Sequence, residues 1–406
     1  MGSVLQLLCQ RPALTGSGVT LDALVRHGSE QGWQQRVVIG VPPDDRAPAV
    51  GDLPADCIHP LVFESEQLPF PVAGMSDVMP YPSTRFSQMT AAQLAQYRDA
   101  WSAHLRALIG RHRPDLLHCH HVWLLAAIAR RVAPNLPLVV HCHATGLRQI
   151  ETCPNLAQDV LTTLAKADHF VVLHGEHRRQ LQHTLGIEAA RISVVGAGFR
   201  TELFSTAHAL PDSARQGQLI YVGKLSDAKG VPQLLEAFAR LQRQYPQARL
   251  HVVGSGSGPQ AEAITARARA LGEAVVLHGR CDQAKLAELL GRAAVCVLPS
   301  FYEGLPLVLA EAYACGCRLV CTALDGVIEQ LAPRLGDALD LVDPPTLCGV
   351  DQPEPSALPA FVDRLAAAMD SALARGPLVP DSAILASFSW GAVAQRVMGI
   401  WSKLIG

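Results

Sequence analysis

No stretch of about 18 uninterrupted apolar residues occurs in the 406-residue chain, so no transmembrane helix is expected. Charge is scarce. Charged residues make up 17% and the formal net charge is −2. Lys and Arg are scattered, with no basic stripe for nucleic acid and no basic amphipathic helix for a membrane surface. The first apolar run, in MGSVLQLLCQ, has no charged segment before it and reads as a β-strand rather than a signal peptide. No internal repeat of 20 to 50 residues is present. No complete G-x-G-x-x-G occurs either, which argues against a dinucleotide-dependent enzyme.

What is present suits a large globular protein. Hydrophobic residues make up 49%, enough for a sizeable core and unlike a disordered chain. The length exceeds what one ordinary core supports, so two domains are expected. The 11 cysteines are an odd number. Most lie in apolar patterns, among them Cys296, Cys315, Cys317 and Cys321, which suits buried thiols in a reducing cytoplasm better than a disulfide framework.

Short apolar runs alternate with helical patterns. Strands are expected at Val4–Cys9, Arg36–Val41, Leu116–His120, Leu138–His143, His169–Leu173 and Ile192–Val195. A second series follows at Gln218–Val222, Arg249–Gly254, Ala274–His278, Val295–Pro299 and Arg318–Thr322. Between them, Val231, Leu234, Leu235, Phe238 and Leu241 recur at helical spacing, as do Leu286, Leu289, Leu290 and Ala293. Such alternation with fully apolar strands predicts an α/β protein with parallel sheets covered on both faces. Two series predict two Rossmann-like, doubly wound domains: residues 1–200 with a closing helix 388–406, and residues 201–387. The stretch 196–215 has no clear periodicity and marks the boundary. The Pro-rich stretch 343–359 reads as a surface loop.

In open α/β sheets ligands bind beyond the carboxyl ends of the strands, so the loops leaving strands carry the chemistry. In the first, PALTGSGVTLDAL, Gly16 and Gly18 allow close backbone approach and a helix start favours an anion; an ordinary tight turn would look the same. In YVGKLSDAKGVPQLL, Lys224 and Lys229 flank the loop and can hold a diphosphate gaining charge as its bond to a sugar breaks; otherwise they are solvated lysines. In PSFYEGLPLVLAEAYACG, Glu303 precedes a helix with Pro306 expected in its first turn, and Glu311 lies inside it. Eight residues rotate a helix about 80° beyond two turns, so the carboxylates do not share a face; Glu311 sits about 7 Å further along the axis. The pair suits a ligand with hydroxyls at both ends and a diphosphate between them, facing the amides of Gly304 to Leu307. The plain alternatives are a helix-start charge and a surface charge, but an unpaired carboxylate in the apolar run around Glu311 is costly. In VVHCHATGLRQIE, His141 and His143 end a strand and Arg148 follows. Such a His can bond a sugar hydroxyl or a phosphate, or be a satisfied strand-end residue.

These segments, with VVGSGSGP and HGR between them, stand in the order and spacing of retaining glycosyltransferases of family 4, which have the GT-B fold. The chain resembles that family over nearly its whole length, most strongly over 218–326. The closing SFSWGAVAQRVMGIW resembles the family's last helix, which crosses back onto the N-terminal domain. The resemblance implies two Rossmann-like domains facing a cleft. It implies that Glu303 binds hydroxyls of the donor sugar, Glu311 the ribose, and Lys224 and Lys229 the diphosphate. Gly223, Gly254, Gly304, Leu305, Pro306 and Leu307 would line the donor, with Gly279 and Arg280 near the base. Gly16 and Gly18 would line the phosphate and acceptor side. His143 would match the family's active-site His, bonding the transferred sugar's 6-hydroxyl.

Three departures stand out. Lys224 replaces the usual Arg, so bidentate phosphate contact is lost there. Leu324-Asp325-Gly326-Val327-Ile328 replaces the usual Gly-Gly-x-Pro-Glu. The N-terminal loop has Gly-Ser-Gly rather than Gly-Gly.

The implied reaction is front-face transfer of a hexose or N-acetylhexosamine from a UDP- or GDP-sugar, the leaving diphosphate oxygen taking the acceptor's proton. The rate would come from positioning and electrostatics. No D-x-D pair occurs in the chain, so no metal and no cofactor is expected. Alternatives are a nucleotide-sugar epimerase or phosphorylase on the same fold, a non-catalytic sugar-binding protein, or a zinc protein using His118, Cys119, His120, His121, His141, Cys142 and His143. Alternation along a strand is expected to let few of those side chains converge. For the acceptor, the segment 63–90 reads as a long irregular loop, too irregular for core, that offers Asp77, Tyr81, Ser83, Thr84 and Arg85, and Arg148 after His143 is a further candidate; a loop that only covers the sheet edge is the other reading. A small polar metabolite, a lipid-linked sugar and a glycan end all remain open as acceptor, as do a peripheral place at the inner membrane face and the oligomeric state.

Overall fold

Parallel pairing and short strand-to-helix connections place the chain among doubly wound α/β proteins. The computed structural model describes residues 2–13, 15–76, 79–303, 305–349 and 351–406. It divides into two compact units, residues up to Gly198 together with Trp390–Gly406, and Phe199–Ser389.

The first unit contains β1 (Ser3–Leu8), β2 (Gln34–Val41), β3 (Ile58–Val62), the two-residue strands β4 (Ala73–Gly74) and β5 (Thr84–Arg85), β6 (Leu116–His120), β7 (Leu138–Cys142), β8 (His169–Val172) and β9 (Ile192–Val194). Its main sheet runs β3-β2-β1-β6-β7-β8-β9, all parallel. The second unit contains β10 (Gln218–Val222), β11 (Arg249–Val253), β12 (Val275–Gly279), β13 (Val295–Leu298), β14 (Arg318–Thr322) and β15 (Leu339–Val342). Its sheet runs β12-β11-β10-β13-β14-β15, also parallel. Each order reverses direction once, between β1 and β6 and between β10 and β13. Those are the switch points where a crevice opens beyond the strand ends.

The strands expected from sequence form within a residue or two at their ends. Besides the two-residue β4 and β5, two more strands that the sequence did not announce form in the main sheets. Ile58–Val62 carries Pro60 and lies at a sheet edge, where a missing N–H is tolerated; Leu339–Val342 is only four residues long and interrupted by Asp340. The helix Val231–Gln244 buries Val231, Leu234, Leu235, Phe238 and Leu241, the stripe its spacing predicts. The aperiodic stretch 196–215 ends in a one-turn helix, Asp212–Arg215. Arg215 is buried there and donates to the carbonyls of Ala293 and Cys315.

The segment 63–90 is not the loose loop its irregular sequence suggested. Phe63, Leu68, Phe70, Val72, Met75 and Phe86 are all buried and join the core of the first unit. Two glutamines fasten it: Gln10 Oε1 accepts from Met75 N at 3.1 Å, and Gln149 Nε2 donates to Met75 O at 3.2 Å. Prolines prevent a regular strand but not burial.

The last helix, Trp390–Ile405, belongs to the first unit. Its Trp401 is fully buried, meets Trp33 edge-on at 5.2 Å, and donates from Nε1 to His118 Nδ1 at 2.9 Å.

Candidate functional site

In the second unit the switch point brings together the loops after β10 and β13. Gly230 has φ +64 and a Cβ there would meet Pro299 O at 2.1 Å, so only glycine lets the two loops close on one another. Phe301 N donates to Ala228 O at 2.9 Å. The result is an ion pair, Lys229 Nζ to Glu303 Oε1 at 2.7 Å, on part-buried side chains. Lys229 also donates to Tyr302 O, and Ser300 Oγ to the same Glu303 oxygen. Lys224 is exposed on the same loop, with its carbonyl accepting from Tyr221.

The neighbouring strand ends are laced to this loop. Gly223 N donates to Val253 O, and Gly254 N to Gly279 O at 2.7 Å. Gly254 has φ +129 and a Cβ there would meet Gly223 O at 1.9 Å. Gly279 has φ +68, and Gly279 and Arg280 are exposed.

The helix after Glu303 is Leu307–Ala314, with Pro306 as its cap rather than in its first turn; Gly304 lies outside the described residues. Leu305 and Leu307 are half-buried and Pro306 is buried. Glu311 stands in the second turn of this helix, part-exposed but crowded by protein, and desolvation pushes its carboxyl from the ordinary 4.5 up to about 7. The apolar run makes a helix wall, and the one carboxyl in it is held in an unfavourable place for its charge.

In the first unit, Gly16 and Gly18 form the first turn of the helix Gly16–Glu30. The Gly18 amide is already taken by the Thr15 cap hydroxyl at 3.1 Å, and a Cβ at Gly18 would strike Pro12 O at 1.7 Å. Gly18 therefore serves loop closure, while Gly16 meets nothing within 4 Å.

The histidines at the ends of β6 and β7 converge, against the expectation from strand alternation. Parallel register sets His120 opposite His141. Residues two apart share a face, so His118, His120, His141 and His143 fall on one side and Cys119 and Cys142 on the other. His141 and His143 stack at 4.6 Å, and His120 and His143 at 5.5 Å. One ring nitrogen from each of His118, His120 and His141 lies within 4.8 Å of the others. The protons on these rings oppose a cation there. Trp401 donates to His118 Nδ1, which leaves the proton of His118 on Nε2. His120 has both nitrogens in hydrogen bonds, to His143 at 3.2 Å and Gln6 at 3.4 Å. Burial and neighbouring rings hold His120, His141 and His143 well below the usual imidazole range, so they are neutral. His121 directly follows β6 with φ +77 and faces Thr145 Oγ1 at 3.2 Å.

The residues suggested for an acceptor differ in their exposure. Tyr81 is buried under the Arg11 guanidinium, 5.3 Å from its ring centre. Thr84 donates to Pro71 O at 2.7 Å. Ser83 is half-buried, while Arg85 and Arg148 are exposed; Asp77 lies outside the described residues. Sequence reading missed Gln6, Gln10, Gln35 and Gln149. Their signal was an amide within an apolar strand or helix or, for Gln10, just beyond the first strand, which needs a partner when buried.

Comparison with known proteins bears on the fold and the family. Residues 209–336 match the model for glycosyl transferases group 1, and residues 15–198 the glycosyl transferase 4-like domain. The D-inositol 3-phosphate glycosyltransferase of Thermomonospora curvata is 32% identical over 64% of this chain and 67% of that protein. The glycogen synthase of Mycobacterium tuberculosis is 30% identical over 54% of each, so the chain spans about half the length of that relative. Among solved structures, sucrose-phosphate synthase from Thermosynechococcus elongatus aligns with a TM-score of 0.65 at 20% identity, covering 100% of this chain and 99% of that one. The Anabaena protein HepE in complex with UDP and glucose aligns at 0.63 and 16% identity, covering 98% and 99%. Both likenesses show the fold. The chain belongs to the family 4-like glycosyltransferases of the GT-B fold.

Proposed function

We propose that the protein transfers a hexose or N-acetylhexosamine from a UDP- or GDP-sugar to a hydroxyl acceptor, with retention and without a metal ion. The observation that carries this is the Lys229–Glu303 pair at the second switch point, with Glu311 in the helix that follows. A diphosphate arriving there draws Lys229 from Glu303, and the released carboxylate accepts from sugar hydroxyls. Glu311, ionised, accepts from the ribose. Charge developing on the leaving diphosphate meets Lys229, Lys224 and a helix start, groups that need no reorganisation by solvent. The acceptor's proton goes to the leaving oxygen, so the protein supplies no base. The names of the relatives, a glycogen synthase and an inositol-phosphate glycosyltransferase, support glycosyl transfer and leave metabolite and glycan acceptors open. Arg85 and Arg148, both exposed, are the residues we assign to an acidic acceptor.

The test is a screen of UDP- and GDP-sugars against metabolite and oligosaccharide acceptors, following nucleoside diphosphate release, with product anomers read by NMR. Release that needs an acceptor, survives EDTA and keeps the donor's anomeric configuration is the expected result. Inversion, chelator-sensitive turnover restored by manganese, or conversion of the sugar without acceptor would each overturn the reading.

A further inference from the structure

Four side chains of the first unit make one continuous hydrogen-bonded line. Gln35 is nearly fully buried beneath the helix Gly16–Glu30, and its Nε2 donates to Val25 O at 2.5 Å and to Ser29 Oγ at 3.1 Å. A peptide carbonyl has no proton to give, so the amide orientation of Gln35 is fixed: nitrogen toward Val25, oxygen away. That oxygen accepts from Gln6 Nε2 at 2.6 Å. Gln6 therefore turns its own oxygen toward His120 Nε2, at 3.4 Å. An amide oxygen can only accept, so the proton of neutral His120 sits on Nε2 and its Nδ1 carries the lone pair. Nδ1 faces His143 Nε2 at 3.2 Å. The proton in that contact must then come from His143.

Each step follows from the one before. Flipping Gln6 would set oxygen against oxygen at Gln35, and flipping Gln35 would do the same at Val25. Gln6 and His120 are fully buried, so water offers no alternative partner. His143 Nδ1 meets no hydrogen-bond partner among the described residues. It is also not among the sealed ring nitrogens, which include both nitrogens of His141.

We propose that Gln35, Gln6 and His120 are positioning residues that lock His143 as the Nε2–H tautomer, leaving its Nδ1 lone pair to accept from a ligand hydroxyl. A phosphate oxygen brings no proton at neutral pH and would meet this lone pair unfavourably. Of the two ligands a strand-end His can take, the line selects the hydroxyl. That ligand class rests on the transferase reading above and on His143 facing substrate, as the family resemblance implies; the tautomer does not.

The experiment is a long-range proton–nitrogen correlation of the imidazole rings in the 15N-labelled full-length protein near pH 7.5, with His143 assigned by substitution. The wild type is expected to show His143 protonated at Nε2. His120→Leu and Gln6→Met are expected to give a mixed tautomer at His143. His120→Asn sets an amide oxygen where Nδ1 stood, so it is expected to retain the wild-type pattern. This conservative variant separates lost positioning from disturbed packing, and Gln6→Met carries the test if His120→Leu does not fold. In the wild type, titration with inorganic phosphate is expected to leave His143 Nδ1 unshifted. With the donor found in the screen, kcat/KM should fall about tenfold in His120→Leu, the loss of roughly one hydrogen bond, and recover in His120→Asn. His143 protonated at Nδ1 in the wild type, or an unchanged tautomer in both Leu and Met variants, overturns the lock. A phosphate-induced shift at Nδ1 overturns the ligand class. The expected tautomer in a protein that releases diphosphate from no donor would sink the transferase reading alone.

Discussion

Glu311 is a carboxyl held where its charge is poorly solvated. Its folded-state value of about 7 lies above the ordinary 4.5, so the ligand-free fold binds a proton that the unfolded chain has lost between those values. The penalty is absent below about pH 4.5, grows through the window and is complete above 7. Allowing for its partial exposure, it is on the order of 2 to 3 kcal/mol. Glu311→Gln should therefore raise the melting temperature at pH 8 and leave it unchanged at pH 4.5; an equal shift at both would contradict the desolvation argument. Nucleotide affinity should move the opposite way, falling in Glu311→Gln and, in the wild type, as pH drops below 7. At the same scale, Lys229→Met should lower kcat/KM by about 10²- to 10³-fold. Glu303→Gln should lower turnover yet spare the affinity for free nucleoside diphosphate. Calorimetry separates the two, and equal losses of free-nucleotide affinity in both variants would contradict the division of roles.

At the scale of elements, the strand ends of the second sheet are held by glycines whose backbone no other residue adopts cheaply. Gly254, at φ +129 with Gly223 O in the place of its Cβ, joins β11 to its neighbours. Gly254→Ala is expected to cost more than about 2 kcal/mol, read as a lowered unfolding midpoint. It should also weaken donor binding, because the loop carrying Lys224 is laced to it through Gly223. A midpoint within error of wild type would show that the loop relaxes freely. The strands themselves were legible because an uninterrupted apolar run buried on both faces needs no context. The histidine cluster was not. Alternation along one strand sorts side chains to two faces, and only the register between β6 and β7 decides that His118, His120, His141 and His143 fall on the same one. The segment 63–90 misled for a related reason. Its prolines forbid a regular ladder, but Phe63, Phe70 and Phe86 fill core space without one.

At the scale of the molecule, the final helix completes the first unit. Trp401 fills a space between Trp33 and His118 with no surface left exposed. Truncation to Ala should cost about 3 to 5 kcal/mol. Hydrogen exchange should then rise across residues 2–198 and 390–406 and stay at the wild-type level across 199–389. A uniform rise over the whole chain would contradict membership of the helix in the first unit. Trp401→Phe keeps an aromatic ring but loses the N–H to His118 and part of the indole's volume, so its expected cost lies between about 1 kcal/mol and that of the Ala variant.

The sequence by itself determined the two strand–helix series, the loops after β10 and β13, and the E-x7-E pair, since apolar period and spacing are local properties of the chain. Tertiary structure decided which of these residues meet. The reversal of strand order between β10 and β13 set Lys229 against Glu303, which stand 74 positions apart. The packing of Val25 over Gln35 fixed a proton on His143, more than 100 positions further along. Contacts of that reach depend on sheet order and register, and those come from the free energy of the whole fold rather than from any window of residues.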